Sequence, residues 1–159
     1  MISTRTRQDV RSTVLDRGRG LVSVFPPRDR VCILGTTRTW QDAPLDDPAW
    51  EVWGLNNLWN RWGPFATRWF EIHPLSILRH EGGGQVAALR RSTIPVYMIR
   101  VYPTIPMSVR FPFELVSTGR RRLFTSTFCY QIALAITEGF KEIGVFGVDF
   151  SRGSLREQT

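Results

Sequence analysis

Lysine is nearly missing from this chain: of 21 lysine and arginine residues, only Lys141 is lysine. The formal charge of +7 is therefore carried almost wholly by arginine. Arginine grips phosphate in a bidentate fork, so the bias suits an anionic ligand, although GC-rich coding produces the same bias without one. Cysteine and histidine are scarce too, with two of each. Cys32 and Cys129 lie in apolar surroundings, which reads as core packing in a reducing cytoplasm and argues against a disulfide. The spacing of metal-ligand residue types matches no structural zinc site, so no metal is expected. Any histidine-dependent chemistry must use His73 or His80. No apolar run approaches the length that spans a bilayer. The N-terminus shows no apolar signal core, and Asp9 and Asp16 argue against an organellar transit peptide. The expected location is the cytoplasm. There is no internal repeat, no low-complexity tract, no Walker loop and no GxGxxG fingerprint. No helix carries a clean basic stripe with interleaved aromatics.

What the chain does have is enough apolar residue for a core: 42% of 159 residues. Residues 1–28 are rich in Arg, Ser and Thr, and seven of the 20 arginines lie at or before Arg30. This reads as a basic flexible arm ending at Pro26-Pro27. It is either a solvated tail or a contact for nucleic acid. Residues 29–159 read as one Rossmann-like domain.

Val31-Cys-Ile-Leu34 is a short continuous apolar run closed by Gly35, the pattern of a parallel strand buried on both faces. Residues 50–55, 67–72, 96–99 and 143–148 supply four more strands. Residues 75–91 read as a helix weakened by Gly82-Gly-Gly84. Pro103, Pro106 and Pro112 leave little room for regular structure between them. Residues 126–138 form a well-buried helix with Phe128, Ile132, Ala135 and Ile136 at helical spacing, and Gly139 fits its C-cap. Strands alternating with helices predict an α/β, Rossmann-like three-layer sandwich with a mostly parallel sheet of five or six strands.

In such a sheet ligands bind outside the carboxyl ends of the strands. Each predicted end carries polar groups. Gly35, Thr36, Thr37 and Arg38 form a glycine turn whose backbone N–H groups suit a phosphate; alternatively Thr36 or Thr39 caps a helix. Asn56 and Asn57 offer donors and acceptors to a base or sugar, and are also ordinary turn residues. Thr125, Ser126 and Thr127 open the late helix, where one hydroxyl suffices for a cap and three suit an anion. His73 and Asp149 are the candidate acid/base residues. Arg120-Arg-Arg122 either closes over an anion or is a solvated loop. The tryptophans read mostly as packing, with one free to stack on a base.

The order Val31-Cys-Ile-Leu-Gly-Thr-Thr37, Glu51-Val-Trp-Gly-Leu-Asn-Asn57, Trp69-Phe-Glu-Ile-His73, Phe124-Thr-Ser-Thr127 and Glu142-Ile-Gly-Val-Phe-Gly-Val-Asp149 resembles a group of small bacteriophage proteins of unassigned function. More distantly it is similar to bacterial lipooligosaccharide sialyltransferases, and its layout to archaeal-type hydroxymethylpterin pyrophosphokinases. The resemblance spans about residues 30–150. It implies that Gly35, Thr36, Asn56, Ser126 and Thr127 line a nucleotide or nucleotide-sugar site. The transferases have glycine where Thr127 stands, and their catalytic histidine falls beyond the Asp-ended strand, where no residue here matches it.

The expectation is thus a nucleotide- or nucleotide-sugar-binding protein related to glycosyltransferases, in the host cytoplasm if phage-encoded. A nucleotide sugar would be the donor. One alternative is a non-catalytic phage module that binds a nucleotide or nucleic acid. Another is a pyrophosphoryl transferase using Mg²⁺ held by Asp149 or Glu71.

Overall fold

The computed structural model describes residues 28–80, 84–116 and 126–148. The expected arm up to Pro27, the Arg120–Arg122 run, Thr125 and Asp149 lie outside the described residues. Arg28 is described, and its guanidinium donates to the Trp50 carbonyl oxygen at 3.1 Å.

The sheet is built from β1 (Arg30–Leu34), β2 (Trp50–Leu55), β3 (Arg68–Glu71), β4 (Val96–Met98), β5 (Ser108–Arg110) and β6 (Glu142–Phe146). The helices are α1 (Trp59–Trp62), α2 (Leu75–His80), α3 (Gly84–Arg90), α4 (Phe113–Val116) and α5 (Thr127–Glu138), with 3₁₀ turns at Arg38–Asp42 and Asn56–Leu58. Strand order is β5-β4-β3-β2-β1-β6, and every pair is parallel. The α/β Rossmann-like reading is borne out.

Side-chain alternation along β1 explains the layers. Cys32 and Leu34 join one core with Trp62, Trp69, Leu78 and Leu89. Val31 and Ile33 join the opposite core with Trp53, Phe70, Leu134 and Ala135. The first face is thus covered by α1, α2 and α3, the second by α4 and α5. A strand covered on both faces has no use for polar residues, which is why this stretch is continuously apolar.

Two details differ from the sequence reading. The predicted 75–91 helix is two helices, α2 and α3, divided at the glycine run. The proline-rich stretch holds the edge strand β5, which fits between Pro106 and Pro112. Its N-terminal turn is closed by Ser108, whose Oγ accepts from the Tyr102 N–H at 2.9 Å and donates to the Tyr102 carbonyl at 3.0 Å.

At the amino edge of the sheet, the first residue of β3 anchors a partly buried ion-pair cluster. Arg68 lies 2.8 Å from both Glu51 and Glu138, and its guanidinium sits 4.9 Å over the Trp53 ring. Burial alone would lower the Arg68 pKa. The fields of Tyr97, Glu51 and Glu138 outweigh burial and hold it above the ordinary arginine value. This cluster ties the last residue of α5 to β2 and β3, and so fixes where the other end of α5 points. Among the described residues, no helix is long and apolar enough to cross a membrane.

Candidate functional site

The chain runs outward from β1 through β5, then returns along α5 to place β6 on the other flank of β1. The strand order therefore reverses between β1 and β6, the position at which a parallel sheet places a ligand crevice. A cavity of about 280 Å³ opens there. Its walls are the β1 turn (Gly35, Thr36, Thr37), the β2 exit (Leu55 to Leu58), Phe128 of α5, and Gly147 with Val148 after β6.

Glycine makes the β1–β6 junction possible. A Cβ on Gly35 would stand 2.3 Å from the Gly147 carbonyl oxygen, and one on Gly147 would stand 2.7 Å from the Gly35 carbonyl carbon. Two backbones in contact can hydrogen bond directly. The Gly35 N–H donates to the Phe146 carbonyl at 2.7 Å, and the Thr37 N–H to the Gly147 carbonyl at 2.8 Å. The Gly147 N–H donates to Thr39 Oγ1 at 3.0 Å. Thr39 is thus a clamp across the crevice. The side-chain cap expected from Thr36 or Thr39 is not made: the 3₁₀ turn starts after Thr37 with no side-chain capping bond.

The second wall is set by Asn56. Its φ of 50° lies in the left-handed region, which asparagine tolerates better than most residues. That turn sends its side chain to the start of α5, where Thr127 Oγ1 donates to Asn56 Oδ1 at 3.2 Å. Two buried indoles pin the loops from below. Trp62 Nε1 donates to the Gly35 carbonyl at 3.1 Å, and Trp69 Nε1 donates to the Asn56 carbonyl at 3.2 Å.

The third wall is the first turn of α5. Ser126 occupies the N-cap without a side-chain capping bond, and its Oγ lies 3.4 Å from Cys129 Sγ instead. Among the described residues the N–H groups of Thr127 and the cavity-lining Phe128 have no acceptor, whereas that of Cys129 donates to the Ser126 carbonyl at 3.1 Å. One turn further along, Gln131 is fully buried. Its Nε2 donates to the Gly54 carbonyl at 3.3 Å. Its Oε1 has no partner among the described residues.

The structure thus brings together Gly35, Thr36, Thr37, Asn56, Asn57 and the Ser126-Thr127 helix start. Arg38 follows the turn but does not line the cavity, and its side chain is at the surface. His73 lies beyond the end of β3, which β2 separates from β1. There it belongs to a different arrangement. Glu71 is fully buried, and its Oε1 accepts the His73 backbone N–H at 3.2 Å and lies 2.6 Å from His73 Nδ1. Gln85 donates to the other Glu71 oxygen. Against an ionised Glu71, which only accepts, Nδ1 is the donating nitrogen and Nε2 is left outside the pair.

Sequence reasoning singled out Thr39 only as part of the turn or a cap, and missed Leu55, Leu58, Phe128, Gly147 and Val148. Only Gly147 left a signal, as a second glycine late in an apolar strand. Among the described residues no cluster of three or more His, Cys, Asp or Glu side chains is placed to hold a metal ion. Compared with family models, curated proteins and solved structures, the chain matches none.

Proposed function

We propose that this chain binds a nucleotide or a nucleotide sugar in the β1–β6 crevice. The observation that carries the reading is the convergence there of the Gly35–Thr37 turn, Asn56-Asn57 and the uncapped first turn of α5. The Gly35 and Thr37 N–H groups are already held by Phe146 and Gly147, so the phosphate would take the Thr36 N–H and the leading N–H groups of α5, which concentrate positive potential without a side chain. Leu58, Phe128 and Val148 would pack against the base, and Asn56-Asn57 would meet a polar edge of base or sugar. The cavity volume, about 280 Å³, is at the small end of ligand sites, so a nucleoside phosphate fills it and any attached sugar projects outward.

The resemblance to lipooligosaccharide sialyltransferases makes group transfer from a nucleotide sugar the activity to test first. His73 and Asp149 are the acid/base candidates for that reaction, although His73 stands beyond β3 and does not line the crevice. Pyrophosphoryl transfer has less support, because both oxygens of Glu71 are already engaged by His73 and Gln85. A non-catalytic nucleotide- or nucleic-acid-binding module is supported by the arginine excess alone.

Thermal-shift measurement of the full chain with nucleosides, nucleoside phosphates, nucleotide sugars and single-stranded DNA separates these readings. A ligand at 100 times its Kd stabilises by about 2.7 kcal/mol, a rise of several degrees. The proposal expects that rise with a nucleotide and its loss in Asn56→Ala. A rise with DNA alone favours the module.

A further inference from the structure

The cavity has one apparent deficiency for a phosphate ligand: none of its lining side chains is cationic. One described cation is linked to the turn through Trp62. This indole holds the Gly35 carbonyl at 3.1 Å, so its ring is fixed directly behind the glycine turn. Arg61, on the same short helix α1, lies with its guanidinium 4.8 Å from the Trp62 ring centroid. The same guanidinium is 5.1 Å from the ring of Trp40, which belongs to the 3₁₀ turn that follows Gly35-Thr36-Thr37. The two indoles are themselves packed at 4.8 Å. Arg61 therefore sits over two indoles, one in the connection that follows the β1 turn and one bonded to the Gly35 carbonyl.

Four of the described cations are paired with carboxylates. Arg30 pairs with Glu142, Arg68 with Glu51 and Glu138, Arg110 with Glu114, and Lys141 with Asp29. Arg61 has no carboxylate partner among the described residues, and its side chain is exposed. Stacking uses the face of a guanidinium and leaves its N–H edge available. That edge is the part that forks onto a phosphate. The rings also remove most of the rotamer freedom that an exposed arginine would lose on binding, so the ordering cost is already met in the free protein.

We propose that Arg61 is the anion receptor of this crevice. Held by Trp40 and Trp62 beside the Gly35 turn, it binds the outermost phosphate of a di- or triphosphate. The inference deepens the nucleotide reading and rests on it for the base. The phosphate contact stands without it. It assigns the ligand class: a phosphate chain longer than one unit, with the first phosphate at the turn and helix start and the last on Arg61.

The test is titration of the full chain and its Arg61→Gln and Arg61→Lys variants with nucleosides, their mono- and diphosphates, and inorganic pyrophosphate. Calorimetry measures affinity, and the Arg61 Nε–Hε NMR signal measures contact. Gln keeps much of the apolar stem, and circular dichroism confirms that the variants fold. The expected result is a loss of about 10- to 100-fold in diphosphate and pyrophosphate affinity in Arg61→Gln, with nucleoside binding unchanged. Arg61→Lys should recover little, because a point charge neither stacks nor forks in the same way. The proposal is overturned if the variants lose nucleoside and diphosphate affinity equally. It is overturned too if diphosphates and pyrophosphate leave the Arg61 signal unmoved. If pyrophosphate binds through Arg61 but no nucleotide does, the receptor stands and the nucleotide reading falls.

Discussion

Replacing Gly35 by alanine tests the β1–β6 junction with one methyl group. The added Cβ would lie 2.3 Å from the Gly147 oxygen, 2.8 Å from its carbonyl carbon and 2.9 Å from a Val148 methyl. An ordinary carbon–oxygen contact is about 3.3 Å or more, so the Gly147 carbonyl must retreat by roughly 1 Å. Val148 can rotate away, but the backbone cannot. That carbonyl accepts the Thr37 N–H, the neighbouring Gly147 N–H is held by Thr39, and the Gly35 N–H is held by Phe146. Each bond contributes about 0.5–1.5 kcal/mol, and overpacking alone costs about 1–3 kcal/mol. A loss of about 3–6 kcal/mol follows, a large share of the about 5–15 kcal/mol that holds a domain folded. For a domain of this size that is a fall in Tm of roughly 10–20 °C. Thermal melts by circular dichroism, with urea midpoints as a second measure, will read it. Gly84→Ala is the control, because nothing lies within 4 Å of a Cβ there, and it should stay within about 1 kcal/mol of the parent. A Gly35→Ala protein melting within 2 °C of the parent protein would refute the close approach of the two turns.

Three further outcomes follow from the same geometry. Asn56→Gly should cost about 1 kcal/mol by losing the Thr127 bond, whereas Asn56→Ala should cost about 2–3 kcal/mol because alanine also lacks the polar side chain that lets asparagine adopt φ 50°; urea midpoints will separate them. Arg68→Ala strands the buried Glu51 carboxylate and should destabilise by about 3–5 kcal/mol in the same assay. Stability should fall at alkaline pH. Burial pushes the Cys32 thiol from 9.0 up to about 12, and burial likewise raises the Tyr97 phenol from 10.0 despite the opposing Arg68 charge. Both groups stay neutral in the fold while the unfolded chain ionises, so their stabilisation is complete below pH 9 and drains away above it. Each group contributes a slope of up to about 1.4 kcal/mol per pH unit. Melts between pH 8 and 11 will show the fall, and Cys32→Ala should remove the part that begins near pH 9; a flat profile contradicts the burial of both groups.

The sheet was largely legible because burial on both faces leaves a plain trace. Val31 to Leu34 must be apolar throughout, and Gly35, Asn56 and Gly147 mark the exits of β1, β2 and β6. β5 was hidden because its three residues are strand only by pairing with β4 and by the Ser108–Tyr102 turn. Neither has a periodicity to read. At the site, turn chemistry near one strand end is local, so Gly35 to Thr37 and Asn56-Asn57 stood out. The Thr39–Gly147 bond joins residues 108 positions apart, and Phe128 reaches the cavity only through the placement of α5. Arg61 was invisible for the same reason, since its two indole partners come from different connections. His73 was noticed by residue type, but its link to Glu71 depends on where β3 ends and α3 begins.

The central claim is a phosphate-binding crevice at the β1–β6 reversal. Amide NMR of the full chain during titration with a series of nucleoside diphosphates tests it most directly. The account predicts that the N–H signals of Thr36, Thr37, Thr127, Phe128 and Gly147 shift together and saturate with one Kd, while those of β4 and β5 stay in place. Shifts confined to other surfaces, or none at millimolar ligand, would contradict it.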